Sequence, residues 1–171
     1  MGLKAAIEEI HQLLENAKID HALIGGLALA VHGINRATGD IDLLVDETNR
    51  SKLIQELKNT KYVLRMETPE VLHFHGAVRL DILLARRPIS RGMLARAKIT
   101  PLLNIKCLDP EDIIGLKIQA YQNNPRRALQ DKADIQFLLD KYDRLLDMER
   151  VKSYAEIFSQ WPEIQKLRRK P

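Results

Sequence analysis

The chain has 171 residues, 45% apolar and 29% charged, the make-up of a domain with one sizeable core; this excludes an intrinsically disordered or collagen-like chain. No run approaches the roughly 20 apolar residues needed to cross a bilayer, and the first segment is too charged for a signal peptide, so a cytoplasmic protein without membrane contact is expected. The net charge of +4 is mild, and the single cysteine, Cys107, excludes an internal disulfide framework and fits a reducing compartment.

Taken in chain order, Leu3, Ala6, Ile7, Ile10, Leu13, Leu14 and Ala17 recur at helical spacing and predict an amphipathic first helix. The apolar run Ala22 to Ile24 ends at Gly25-Gly26, and strong helix formers follow before a polar loop, which predicts strand, turn and short helix. DIDLLVD reads as a strand with acids at one end, and residues 47 to 59 as a helix. YVLRM, VLHFH and VRLDILLA are three further strands, the last two joined through Gly76-Ala77 as a tight hairpin.

Charge divides unevenly along the chain. Residues 1 to 85 carry 9 Lys and Arg against 12 Asp and Glu, whereas residues 86 to 171 carry 18 against 11. Within the second half, Arg86, Arg87, Arg91, Arg96, Lys98 and Lys106 follow one another without an intervening acid. Such a run either attracts an anionic partner or is simply a solvated loop and helix face. Beyond residue 108 the pattern is helical throughout. Asp109-Pro110-Glu111-Asp112 is a helix start, Asn123-Asn124-Pro125 a stop, and two helices follow over about 127 to 141 and 147 to 159. A basic tail comes after the second of these helices, the final one expected, which Trp161-Pro162 anchors as a late turn. The expected organisation is an α/β part over residues 1 to 106 and a helical part over 107 to 171 packed on it.

Chemistry concentrates in Ile24-Gly25-Gly26, then thirteen residues, then Asp40-Ile41-Asp42-Leu43. Alternate residues of a strand share a face, so Asp40 and Asp42 project together, about 7 Å apart along the backbone, while Ile41 and Leu43 face a core. Two like charges at that separation repel unless something neutralises them, and a divalent cation with oxygen ligands does so. Asp81 lies mid-strand among aliphatic residues, where a lone carboxylate is costly. If its strand neighbours DIDLL, three acids converge; a plain ion pair with Arg79, on the same face, is the competing explanation. The double glycine allows backbone N–H groups to approach a phosphate. His73 and His75 share a strand face at a spacing that can hold a transition metal, but no third ligand is evident. His32 lies near the presumed phosphate site with packing as its default role, and Cys107 is expected to be buried. No Walker A loop, GxGxxG or G-x-S-x-G is present, which disfavours P-loop, dinucleotide and serine-hydrolase chemistry.

The stretch ALIGGLALAVHGINRATGDIDLLVD resembles the nucleotidyltransferase superfamily, whose signature is an apolar residue, Gly and Gly or Ser, a spacer, then Asp-apolar-Asp/Glu, with a later acid on another strand. Within it, the chain is most similar to the AbiEii-type abortive-infection toxin group, which shares a GG…R-x-T/S-x-D-I-D arrangement matched by Arg36, Thr38, Asp40 and Asp42; the resemblance spans roughly residues 20 to 140. It implies an α+β fold of polymerase-beta-like type, a small mixed sheet with flanking helices and a C-terminal helical part. It further implies transfer of NMP from an NTP to a hydroxyl acceptor, with Mg2+ or Mn2+ held by Asp40, Asp42 and Asp81. Gly25 and Gly26 would cradle the triphosphate beside Arg36 and Thr38, Lys117 would neutralise phosphate and Asp131 would orient it or a metal. The acceptor is left open between an RNA or tRNA end, a small molecule and a protein side chain, and a cognate antitoxin is an implied partner. The rival expectation is a nucleotide- or partner-binding module of the same fold without turnover.

Overall fold

The computed structural model describes residues 2–34, 38–101 and 103–168. The chain divides into two compact units, Met1–Leu108 and Asp109–Pro171.

In the first unit, α1 (Leu3–Asn16) buries Ala6, Ile7, Ile10 and Leu14 on one stripe, as its periodicity predicts. Its last turn closes through Lys18 in the left-handed region, with the Ile19 N–H bonded to the Leu14 carbonyl. β1 (His21–Leu23) is buried throughout and runs directly into α2 (Gly25–Val31), so the two glycines form the first turn of the helix itself rather than a separate turn. β2 (Asp40–Asp46) follows, then a 3-10 turn over Glu47–Asn49 whose cap is Asp46, accepting from the Thr48 N–H, and α3 (Arg50–Lys58). β3 (Val63–Glu67), β4 (Val71–His75) and β5 (Arg79–Ala85) are the three expected strands; β4 and β5 form the expected hairpin, and β3 also pairs antiparallel with β4.

The described residues between 86 and 107 hold more secondary structure than a solvated loop and helix face. They form α4 (Pro88–Arg96) and the two strands β6 (Lys98–Thr100) and β7 (Ile105–Cys107). Three residues per strand are too few to show a period of two, which is why the pattern is invisible in the sequence. Among the described residues the seven strands form one mixed sheet in the order β3-β4-β5-β2-β1-β7-β6, with β2 parallel to β5, β1 parallel to β7 and the other pairs antiparallel. This is the expected small mixed sheet with flanking helices. Its central strands put Ile41, Leu43, Val45, Leu72, Phe74, Leu80 and Ile82 into the core, each essentially inaccessible. The alternating residues of β2, β4 and β5 are left at least partly accessible on the other face, apart from the fully buried Leu44 and Ala85.

The second unit is helical. α5 (Pro110–Asn123) starts and stops where its Asp-Pro and Asn-Asn-Pro signals place the ends, and α6 (Ala128–Tyr142), α7 (Met148–Ile157) and α8 (Trp161–Arg168) follow. α8 begins at Trp161 itself. Ile114, Ile118, Ile135, Leu138, Val151 and Ile164 form its apolar interior. Asp109 stands at the cap position of α5, but its carboxylate makes no cap bond and instead accepts from Arg150 Nη1 at 3.4 Å. Among the described residues no helix is long and apolar enough to cross a membrane.

Candidate active site

The sheet register assembles the acids. β2 and β5 are parallel neighbours with Asp42 directly opposite Asp81 and Asp40 directly opposite Arg79. Neighbouring strands are about 4.8 Å apart, so Asp42 and Asp81 stand side by side, with Asp40 two residues along the same face. Sequence alone left the pairing of these two strands as a condition; the parallel register meets it.

Each carboxylate has a distinct setting. Asp81 accepts a hydrogen bond at Oδ1 from His73 Nδ1–H, 2.7 Å away, because the β4–β5 hairpin sets His73 opposite Asp81. Its Oδ2 is 3.6 Å from Arg79 Nε. The Arg79 guanidinium also donates to Asp40 Oδ2, so it spans two of the three acids. Hydrogen bonding to Asp40, then the charges of Asp40, Asp81 and Asp42, hold Arg79 above the usual arginine range. The competing explanation raised for Asp81, an ion pair with Arg79, is therefore present alongside the acid cluster. The side chains of Asp40 and Asp81 keep 36% and 20% exposure, so solvent and solutes reach both.

The glycines explain how α2 reaches this cluster. Gly25 has φ +60, and a Cβ there would sit 2.2 Å from Asp42 Oδ2; a Cβ on Gly26 would sit 2.6 Å from Thr38 Oγ1. A Cβ-free backbone is thus required for the helix start to lie against Asp42 and Thr38. The Ile24 N–H, bonded to the Asp42 carbonyl at 3.0 Å, holds it there. Gly25, Gly26, Thr38, Asp40, Asp42 and Asp81 thus form one neighbourhood, while Arg36 lies outside the described residues. Three carboxylates thus share one face of the sheet with a guanidinium drawn among them, and carboxylate oxygen is the donor type that hard divalent cations prefer.

Lys117 and Asp131 belong to the helical unit. Lys117 on α5 is buried and its ammonium lies 2.7 Å from Asp131 Oδ1 and 2.7 Å from Asp134 Oδ2, both on α6; Arg127 Nε reaches the other Asp131 oxygen at 3.2 Å. Their own unit accounts for them as an internal ion-pair cluster.

The basic run is also resolved by tertiary structure. Arg86 pairs with Glu47, Arg87 with Glu70, Arg91 with Asp46 and Lys106 with Asp20, each acid coming from a distant part of the sequence. His32 Nε2–H donates to the Leu108 carbonyl oxygen, 2.9 Å away, beside the buried Cys107, a packing role. Sequence reasoning missed His73 as the partner of Asp81. The two-residue Gly76-Ala77 turn read from the sequence would pair His75 with Val78 and His73 with Leu80; the loop has three residues, 76 to 78, which pairs His75 with Arg79 and so His73 with Asp81.

No protein-family model matches the chain, and no curated protein does. Solved structures do. The antibiotic-resistance factor ANT(2'')-Ia in solution aligns over 95% of this chain and 95% of its own with a TM-score of 0.70 at 17% identity. A nucleotidyltransferase-like antigenic protein of Paracoccidioides brasiliensis aligns over 96% and 91% with a TM-score of 0.61 at 19% identity. The lincosamide antibiotic adenylyltransferase LnuA, bound to lincomycin, aligns over 80% and 96% with a TM-score of 0.59 at 18% identity. The mixed sheet, its flanking helices and these alignments together establish that the chain has the nucleotidyltransferase fold.

Proposed function

We propose that this chain is a metal-dependent nucleotidyltransferase that moves NMP from an NTP to a hydroxyl acceptor. The observation that carries this is the register placing Asp42 beside Asp81 on parallel strands, with Asp40 on the same face and Gly25 set against the Asp42 carboxylate. In the reaction the acceptor oxygen bonds to the α-phosphorus, the bond from that phosphorus to the bridging oxygen of the β-phosphate breaks, and pyrophosphate leaves. Asp40, Asp42 and Asp81 would hold magnesium or manganese, which supplies charge neutralisation for the triphosphate and a more acidic acceptor hydroxyl. Asp81 Oδ2 takes the hydroxyl proton, since Oδ1 is occupied by the His73 N–H that also fixes the carboxylate's orientation. Gly25 and Gly26 would border the triphosphate with Thr38 at their side; Arg36, the remaining candidate, lies outside the described residues.

The acceptor class we assign is a small hydroxyl compound rather than an RNA end. The basic run that would have to hold RNA phosphates has Arg86, Arg87, Arg91 and Lys106 already facing acids. ANT(2'')-Ia has been crystallised with adenylyl-2''-tobramycin and LnuA with lincomycin, which makes such compounds the first acceptors to try. The narrower likeness to AbiEii-type toxins predicts instead growth inhibition relieved by a partner protein, read by expressing the chain alone.

Each α-labelled NTP, incubated with Mg2+ or Mn2+ and either a panel of hydroxylated small molecules or total RNA, tests the assignment. Label transfer with pyrophosphate release, lost in Asp42→Asn, is the expected result; transfer unaffected by that substitution overturns it. One observation favours a second reading. Arg79 spans Asp40 and Asp81 as an internal countercharge, which suits a module that binds nucleotide without turnover. That reading predicts NTP binding in equilibrium dialysis with no pyrophosphate released.

A further inference from the structure

A second cluster of ligand-type side chains lies in the first unit, away from the acids. His11 and Glu15 are four residues apart on α1 and therefore share a helix face. The left-handed Lys18 reverses the chain, and β1 opens with His21, whose ring lies 5.1 Å from that of His11. One ligand atom from each of His11, Glu15 and His21 lies within 4.8 Å of the others.

The two imidazoles are held in a defined arrangement. His21 Nδ1 is 2.8 Å from the Ile19 carbonyl oxygen, which can only accept, so Nδ1 carries the proton and the Nε2 lone pair is left for another partner. Nε2 is 2.8 Å from His11 Nδ1. A histidine whose second nitrogen donates to a backbone carbonyl is in the arrangement that orients metal-ligating imidazoles.

We propose that His11, Glu15 and His21 form a binding site for one divalent transition-metal ion of the zinc class. Two imidazole nitrogens and a carboxylate oxygen are a borderline donor set, distinct in kind from the all-carboxylate cluster on β2 and β5, which suits harder cations. Tetrahedral ligands about 2 Å from zinc are about 3.3 Å apart, so the two nitrogens must separate by roughly 0.5 Å, a movement the half-exposed His11 side chain can make. Glu15 is exposed, and the cluster opens onto a surface cavity of about 470 Å³ bordered by Ile99, Asn104 and Lys106, leaving room for a fourth ligand. Lys106, the nearby cation on β7, is already held by Asp20 at 2.6 Å. The ion would clip the end of α1 to the start of β1.

The full chain, stripped of metal with a chelator, is dialysed against Zn2+ alone, with Co2+ as a spectroscopic probe and Mg2+ as a control. The expected result is one Zn2+ per chain, a tetrahedral Co2+ absorption band and a higher Tm with zinc, all retained in Asp42→Asn. His11→Gln and Glu15→Gln alter accessible side chains, and each is expected to weaken zinc binding by at least about 10-fold while leaving the circular dichroism unchanged. No zinc uptake by the unmutated chain overturns the proposal. So does uptake that survives both substitutions or is lost in His73→Gln.

Discussion

Two clusters in which carboxylates meet a cation, one on the sheet and one between α5 and α6, differ in what water can reach. On β2 and β5, Asp40 and Asp81 keep 36% and 20% side-chain exposure and face an arginine that is itself 52% exposed. Between α5 and α6, Asp131 and Asp134 keep 1% and 7% and enclose a lysine at 6%. A captive ammonium between two dry carboxylates can be exchanged only at the cost of leaving a buried charge unpaired, which favours a structural reading of that cluster. A guanidinium at the surface can be displaced at little cost, so the acids it covers remain available to a stronger cation. Sequence shows the same residue types in both; accessibility separates them.

Substitution at both clusters tests that contrast. Asp81→Asn is expected to lower the rate of label transfer by about 10² to 10⁴-fold, the range for a lost proton acceptor, with the urea midpoint nearly unchanged. A large stability loss instead would place Asp81 with the structural acids. Lys117→Met should do the opposite, reducing unfolding free energy by about 3–5 kcal/mol because Asp131 and Asp134 lose their buried partner. If folded Lys117→Met protein has lost transfer at constant stability, Lys117 serves phosphate after all and the contrast fails.

Gly25→Ala probes how the accessible cluster is held. The left-handed backbone alone costs about 1–2 kcal/mol for alanine, and the added Cβ must push the Asp42 carboxylate aside. Transfer should therefore fall with a rise in the metal concentration needed for half-maximal rate. Arg79→Gln removes the surface countercharge and should change stability by no more than about 1 kcal/mol, while lowering the metal requirement. A raised requirement would show that Arg79 assists binding rather than competing with it.

The smallest effect concerns pH. Burial, then the charge of Glu163, push the Tyr121 phenol from its ordinary 10.0 up to about 12. The folded state thus favours the neutral phenol; this stabilisation is complete below pH 10 and is lost as pH rises from 10 to about 12. Comparing Tm across that window, Tyr121→Phe should decline less steeply than the unmodified chain. Equal slopes would mean that Tyr121 titrates alike folded and unfolded.

Elements with strong local signals were legible in the sequence. The stripe of α1, the alternation of β2 and β5 and the Asp-Pro start of α5 all lie where their patterns put them, because burial of one face dictates those residues. The strands β6 and β7 were not, since three residues carry no period. The basic stretch from Arg86 to Lys106 read as unopposed charge because its acids, Glu47, Glu70, Asp46 and Asp20, lie 17 to 86 residues away along the chain.

The linear chain therefore determined which residues could form the site: two acids on one strand face, a third on another strand and a glycine pair before them. Only the tertiary structure decided that β5 lies parallel beside β2 with Asp81 against Asp42, that His73 holds Asp81, and that Arg79 reaches Asp40. Alternation along a strand is a local consequence of backbone geometry, whereas strand order and register depend on which faces bury best across the whole sheet.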